Sequence, residues 1–217
     1  MFGPNVSAGH KSVQIRSAYA PSQSRRSDGL AARIHYQQAV NSALRWRLIV
    51  QGSDVPSGQF ESNFLQAELQ WNFSKPTASS SWSQGLRADY RLTEGDNGAD
   101  QFGLNYTVQN DFAPRWRAIG VLLANYQLGS EAADGTAFET RASIGFKLAN
   151  GFNLALESFN GYGRSGNNGN FDEQNHRLGP ALSGKLSANI GFYAGALFGI
   201  SDAARNADYR LWFSHSF

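Results

Sequence analysis

Apolar and polar residues change places at every second position along this chain, in about twelve separate stretches. Across the central spans the apolar positions carry no Lys, Arg, Asp or Glu. A period of two is the side-chain repeat of a β-strand. A solvated sheet face has no reason to exclude charge so strictly. A face against hydrocarbon does, because Arg or Lys near the bilayer midplane costs about 2–4 kcal/mol there. Lipid also leaves an unpaired strand edge unsatisfied, so strands of this kind must close into a ring.

The stretches are 12–20, 32–40, 43–52, 64–73, 82–92, 102–112, 115–128, 138–148, 152–160, 176–186, 190–200 and 207–217. Each is near the ~9–11 residues that a tilted membrane strand requires. In 64–73, Leu65, Ala67, Leu69, Trp71 and Phe73 oppose Gln66, Glu68, Gln70 and Asn72. In 138–148, Phe138, Ala142, Ile144, Phe146 and Leu148 oppose Glu139, Arg141, Ser143, Gly145 and Lys147. Two stretches are less regular. In 115–128 the phase is open, since Ile119, Val121 and Leu123 share a face with Arg117, Asn125 and Gln127. In 176–186, Pro180 removes a ladder donor and calls for a local bulge.

Composition agrees. Charged residues are 17% of the chain, well under the ~25% usual for soluble domains. No apolar run approaches the ~18–20 residues of a membrane helix, which excludes that class. Connections after odd-numbered stretches (21–30, 53–59, 94–100, 129–136, 161–173, 201–206) are longer and polar, whereas those after even-numbered ones are mostly shorter turns, such as Asn41-Ser42 and Ala113-Pro114. Aromatic rings gather at two heights. Trp46, Trp71, Phe73, Trp82, Phe112, Trp116, Phe152 and Phe217 fall near the short turns, and Tyr19, Tyr90, Phe102, Tyr126, Phe138, Phe198 and Tyr209 near the long loops. Two rings of amphipathic side chains are the interfacial girdles of a membrane barrel. The fold class is therefore all-β, a transmembrane antiparallel up-and-down barrel of about twelve strands. It spans 1–217 as one domain, with residues 1–10 as a short periplasmic tail.

The final stretch, ADYRLWFSHSF, carries a resemblance. Apolar residues at alternate positions and a terminal aromatic resemble the C-terminal signature strand of bacterial outer-membrane β-barrel proteins. Tyr209, Leu211, Phe213 and Phe217 match it, and His215 stands where an aromatic or aliphatic residue is more usual. The resemblance implies the bacterial outer membrane as location, with membrane lipid, lipopolysaccharide and the barrel-assembly machinery as partners. The start of the chain, MFGPNVSAGH, has neither a basic n-region nor an apolar h-region, so it reads as a mature form with an added initiator Met.

With the apolar phase outward, the other phase lines a lumen. It holds Arg16, Arg33, Arg45, Arg47, Arg87, Arg91, Arg115, Arg117, Arg141, Arg177, Arg210, Lys147 and Lys185 against Glu68, Asp89, Asp111, Glu139, Glu157 and Asp208. Rings of Arg and Lys in a pore favour anions. Eight strands give a filled interior and sixteen to eighteen a broad channel, so about twelve leave room for a narrow one. Residues 161–173 form the one loop long enough to fold inward as a constriction. In length, strand number and basic lumen the chain is similar to the small twelve-stranded porins for acidic oligosaccharides, the oligogalacturonate and sialic-acid channels. The expected activity is passive diffusion of small, preferably anionic solutes, with no enzyme chemistry and no cofactor. The formal net charge of +2 is too small to point to nucleic acid. The arginines have a structural reading as well, as ladders such as Arg87–Asp89–Arg91 beside Glu68 that satisfy one another.

Two further classes remain open at this level. Outer-membrane phospholipases are also twelve-stranded, with a nucleophile and histidine facing lipid near the outer rim. Here Ser158 and His176 share the apolar phase of neighbouring stretches, with Asn160 and Asn175 near enough to orient an imidazole. Alternatively, a bare barrel serves as the anchor or translocation domain of a larger export system, with residues 2–9 as the remnant of the connection. His10, His35, His176 and His215 show no metal-ligand spacing, and cysteine is absent. The loop carboxylates Asp54, Glu94, Asp96, Asp100, Glu131, Asp134, Asp172 and Glu173 read as solvated loop residues, with divalent ions bridging lipopolysaccharide as the sharper alternative.

Overall fold

The structure, a computed structural model, describes residues 3–23, 27–54, 59–94 and 98–217. Phe2, Asp96 and parts of three long loops lie outside the described residues. The chain forms β1 (Lys11–Ala20), β2 (Gly29–Ala39), β3 (Leu44–Asp54), β4 (Phe60–Ser74), β5 (Trp82–Thr93), β6 (Asp100–Ala113), β7 (Trp116–Leu128), β8 (Thr136–Lys147), β9 (Asn153–Arg164), β10 (Asn175–Lys185), β11 (Ile190–Gly199) and β12 (Ala207–Ser216). Each pairs antiparallel with its sequence neighbour, and β1 closes on β12 from Ser12↔Ser216 to Tyr19↔Tyr209. The terminal strand thus has both edges paired, and the ring of twelve strands has no edge.

The burial pattern is that of a soluble protein turned inside out. Leu69 is 52% and Ile144 53% exposed, while Glu68 and Gln70, one residue either side of Leu69, are 7% and 8% exposed. Such a surface is stable only where its solvent is hydrocarbon. Rings touch along the short-turn rim: Tyr36 with Trp46 at 5.3 Å and with Phe217 at 6.4 Å, Trp71 with Phe73 at 5.4 Å, and Trp116 with Phe112 at 6.3 Å and Phe146 at 4.8 Å. These contacts build one girdle from residues far apart in sequence.

The open phase of β7 resolves against the simplest hydrophobic reading. Ile119 and Leu123 are buried inside the barrel, and Leu122, at 50% exposure, faces out with Trp116 and Tyr126. Pairing decides it. Leu122 lies opposite Tyr106 and Thr140, so its neighbours' phases dictate its own. Pro180 is accommodated without the expected bulge. Pairing of β10 with β9 runs through Pro180↔Leu156 unshifted, and pairing with β11 lapses between Leu178↔Phe198 and Ala181↔Gly195 and resumes in the same register. Gly179 permits the close approach there, since a Cβ would stand 1.8 Å from the Ala196 carbonyl oxygen.

Residues 161–173 do not fold inward as a constriction at their C-terminal end. β9 continues to Arg164, and the 3-10 turn Phe171–Glu173 lays Phe171 flat on His176, with ring centroids 4.5 Å apart and an interplanar angle of 12°. His176 shares its phase with the exposed Leu178, so this turn docks on the outer wall. Asn170 and Glu173 cap the turn reciprocally, and the Asp172 carbonyl accepts from Ala203 N at 2.8 Å, which ties it to the next long loop.

The inverted surface gives a direct test. Ile144→Arg is expected to lower unfolding stability in lipid vesicles by about 2–4 kcal/mol, as for a guanidinium near the midplane. Denaturant titration of vesicle-folded protein measures it, and an unchanged midpoint contradicts the outward assignment.

Candidate functional site

Because the strands alternate, one phase of every strand meets inside the ring, and this collects side chains that sequence scatters. A cavity of about 400 Å3 is bordered by Arg16, Arg33, Arg45, Arg47, Arg87, Arg141, Arg177 and Arg210, with Glu139 and Asp208 among them. A second, of about 910 Å3 toward the short turns, is bordered by Arg115, Arg117, Lys147, Lys185, Asp111 and Glu157. Thus Arg115, Arg117, Lys147 and Lys185 stand at the mouth. Arg115 lies in the turn before β7, gives its Nε to the Lys147 carbonyl at 2.7 Å and stacks on outward-facing Phe146.

Part of the charge is neutralised in place. Arg47 donates to Glu68, and Arg87 stands 3.9 Å from Glu68 and 3.8 Å from Asp89. Across the lumen Arg141 meets Glu139 at 3.0 Å, and Asp208 accepts from Arg177 at 2.9 Å and Arg210 at 2.6 Å. Arg117 pairs with Asp111 at 2.6 Å. Glu157 accepts instead from Tyr193, at 2.7 Å. The ladder reading therefore describes these six arginines.

It does not describe Arg33, Arg45 or Arg91. Their side-chain partners are the amides Gln51, Gln70 and Gln66, and among the described residues none forms an ion pair. Aromatic rings inside the lumen hold several of the guanidiniums. Arg16 lies 4.4 Å from the Trp212 ring, Arg210 4.4 Å and Arg141 5.3 Å from Phe159, and Arg91 4.1 Å from Phe64. Phe64 and Phe159 fall on the polar phase and were not among the expected lining. Their signal in the sequence is an aromatic residue out of phase with its neighbours.

The chain start also contributes to the interior. Pro4 is fully buried, its carbonyl accepts from Gln70 Nε2 at 2.6 Å, and Asn5 Oδ1 accepts from Ser83 Oγ at 2.6 Å. Gly3 borders both cavities, and a Cβ on it would meet Gln109 Oε1 at 1.9 Å. Residues 3–6 therefore sit in the short-turn half of the lumen against β4, β5 and β6. His10, where the segment leaves the lumen for β1, has its pKa lowered by burial and by nearby Arg45, which disfavours its charged form.

Ser158 and His176 do not form a relay. His176 Nδ1 lies 3.1 Å from Asn160 Oδ1 and its Nε2 2.9 Å from Gln174 Oε1, while Ser158 is bonded to Asn160. The imidazole is occupied on both sides and covered by Phe171, and Asn160 stands between it and the hydroxyl. Asn175 is not part of this cluster. Three of the loop carboxylates are held by hydrogen bonds: Asp54 accepts from Leu30 N, Asp100 from Thr93 N and the Tyr90 hydroxyl, and Glu173 from Asn170 N. Among the described residues no group of three or more potential ligands could hold a metal ion.

A sealed ring of twelve strands, apolar outside and charged within, has the architecture of an outer-membrane β-barrel. Residues 25–214 match the family described as "Putative MetA-pathway of phenol degradation", and the chain belongs to that family. No curated protein matches the sequence. Among solved structures, the fold is similar to the KdgM porin in complex with disordered oligogalacturonate (TM-score 0.67, 11% identity, 95% of this chain and 99% of that one). It is similar also to an outer-membrane channel from Pseudomonas putida F1 (TM-score 0.67, 10% identity, 98% and 97%) and to the NanC porin (TM-score 0.65, 12% identity, 94% and 100%). At these identities the likeness is one of fold.

Glu68 is the carboxylate on which the inner ladder turns, 7% exposed between Arg47 and Arg87. Glu68→Gln is expected to cost about 3–5 kcal/mol, because it strands buried guanidinium charge. Urea unfolding of the vesicle-folded variant reads this, and a loss under about 1 kcal/mol would show instead that water already solvates the pair.

Proposed function

We propose that this barrel is an outer-membrane channel for passive diffusion of small solutes, with a preference for anions. The observation that carries the reading is the set Arg33, Arg45 and Arg91, which face inward, are held by amides and form no ion pair among the described residues. Arg33 and Arg45 border the central cavity of about 400 Å3. Inward guanidiniums lower the energy of an anion in a narrow lumen and raise that of a cation. The solute class is small carboxylates and phosphates, whose planar or tetrahedral oxygens match the guanidinium fork. The oligogalacturonate in the similar KdgM porin structure is a polycarboxylate, which belongs to this solute class.

Single-channel recording of refolded protein in asymmetric KCl tests this. The expected reversal potential favours chloride over potassium, and Arg33→Glu or Arg45→Glu shifts it toward cation preference. A correctly folded barrel that stays silent, or conducts without anion preference, contradicts the reading. Deleting residues 2–9 takes residues 3–6 out of the lumen, so conductance per channel is expected to rise with the sign of selectivity retained. Unchanged conductance would show that current passes clear of that segment.

A further inference from the structure

Phe64 points into the lumen near the long-loop end of β4, opposite Gln51 of β3 and Thr93 of β5. A lone apolar ring has no hydrophobic reason to face a charged interior. It is nevertheless only 5% exposed, and two guanidiniums approach it. The Cζ of Arg91, from β5, lies 4.1 Å from the ring centroid, and that of Arg33, from β2, lies 5.5 Å away. Each arginine gives its Nε to an amide, Arg33 to Gln51 and Arg91 to Gln66. No ion pair reaches either one among the described residues.

A carboxylate that fixes an arginine also cancels its charge. An aromatic face fixes the guanidinium plane and leaves the charge in place. With Nε committed to an amide, the terminal nitrogens of both forks remain as donors, and two forks held at one ring supply donors enough for a single oxyanion. We propose that Phe64 is a positioning residue that holds Arg33 and Arg91 as a binding site for one carboxylate or phosphate group at the long-loop end of the lumen. This deepens the anion-channel reading and rests on it. Phe64 itself touches the two arginines and acts on the solute through them.

The test is the current of wild type, Phe64→Leu, Phe64→Tyr and Arg91→Lys in asymmetric KCl, with inorganic phosphate titrated in and acetate in a parallel series. Wild type is expected to show a chloride current that falls and saturates with phosphate. Phe64→Leu, which keeps an apolar side chain but no ring, raises the half-saturating concentration about two- to five-fold, the strength of a partly exposed cation–π contact. Arg91→Lys keeps the charge, loses the planar fork and shifts in the same direction, and Phe64→Tyr keeps the ring and stays with wild type. Should Phe64→Leu fail to refold, as judged by heat-modifiable gel mobility, the Arg91→Lys and Phe64→Tyr comparison still decides. Anion selectivity with the same half-saturation in Phe64→Leu or Arg91→Lys as in wild type overturns the inference and leaves the channel reading standing. A shift in Phe64→Tyr as large as that in Phe64→Leu overturns it too, since the ring would then not be the determinant. A wild type with no anion preference overturns both.

Discussion

Hydrogen bonding of the backbone in a medium without water is the constraint from which the rest of the structure follows. Hydrocarbon offers no partner for a free N–H or C=O, so a sheet in a membrane has to return to its own beginning. Here that return is the β1–β12 ladder, Ser12↔Ser216 to Tyr19↔Tyr209. Closure requires the registers of the other pairs to add up around the ring, which ties each strand's lipid-facing phase to that of its neighbours. The terminal Phe217 lies where the seam meets the short-turn girdle, its ring 6.4 Å from Tyr36 of β2 and its N–H bonded to the Lys11 carbonyl. The last residue is therefore part of the closure.

Much of this was legible in the sequence, because the membrane imposes a simple rule on one face. Leu65 to Phe73 and Phe138 to Phe146 could be assigned from alternation alone, since lipid rejects charge at every outward position. The inward face obeys no comparable rule. A lumen accepts Arg47, Ile119, Phe64 or Tyr193 equally well, provided each finds a partner, and this is why β7 was ambiguous until Leu122 was seen beside Tyr106 and Thr140. Pro180 misled for a related reason. A missing donor suggests a bulge, but an adjacent Gly179 lets the strands close up and keep register.

Where the sequence carries no periodicity, it was least informative. Residues 3–6 have no pattern to place them inside the barrel; what holds them is the bond from Gln70 to the Pro4 carbonyl and that from Ser83 to Asn5. Similarly, residues 161–173 have the length to fold inward, but Phe171 finds a flat partner in His176 on the outer wall. Both outcomes depend on single contacts between distant residues. The arginines lie between these extremes: their direction followed from phase, whereas their division into those paired with carboxylates and those resting on amides and rings needed three-dimensional neighbours.

That division is not evenly spread around the bore. Strands β1 to β5 supply Arg16, Arg33, Arg45, Arg47, Arg87 and Arg91 against Glu68 and Asp89, whereas β8 to β12 set Arg141, Lys147, Arg177, Lys185 and Arg210 against Glu139, Glu157 and Asp208. The two halves of the wall thus differ in net formal charge, and the interior carries a transverse field. Any negatively charged group inside such a tube is drawn off its axis toward the β1 to β5 wall, which makes the bore electrostatically lopsided.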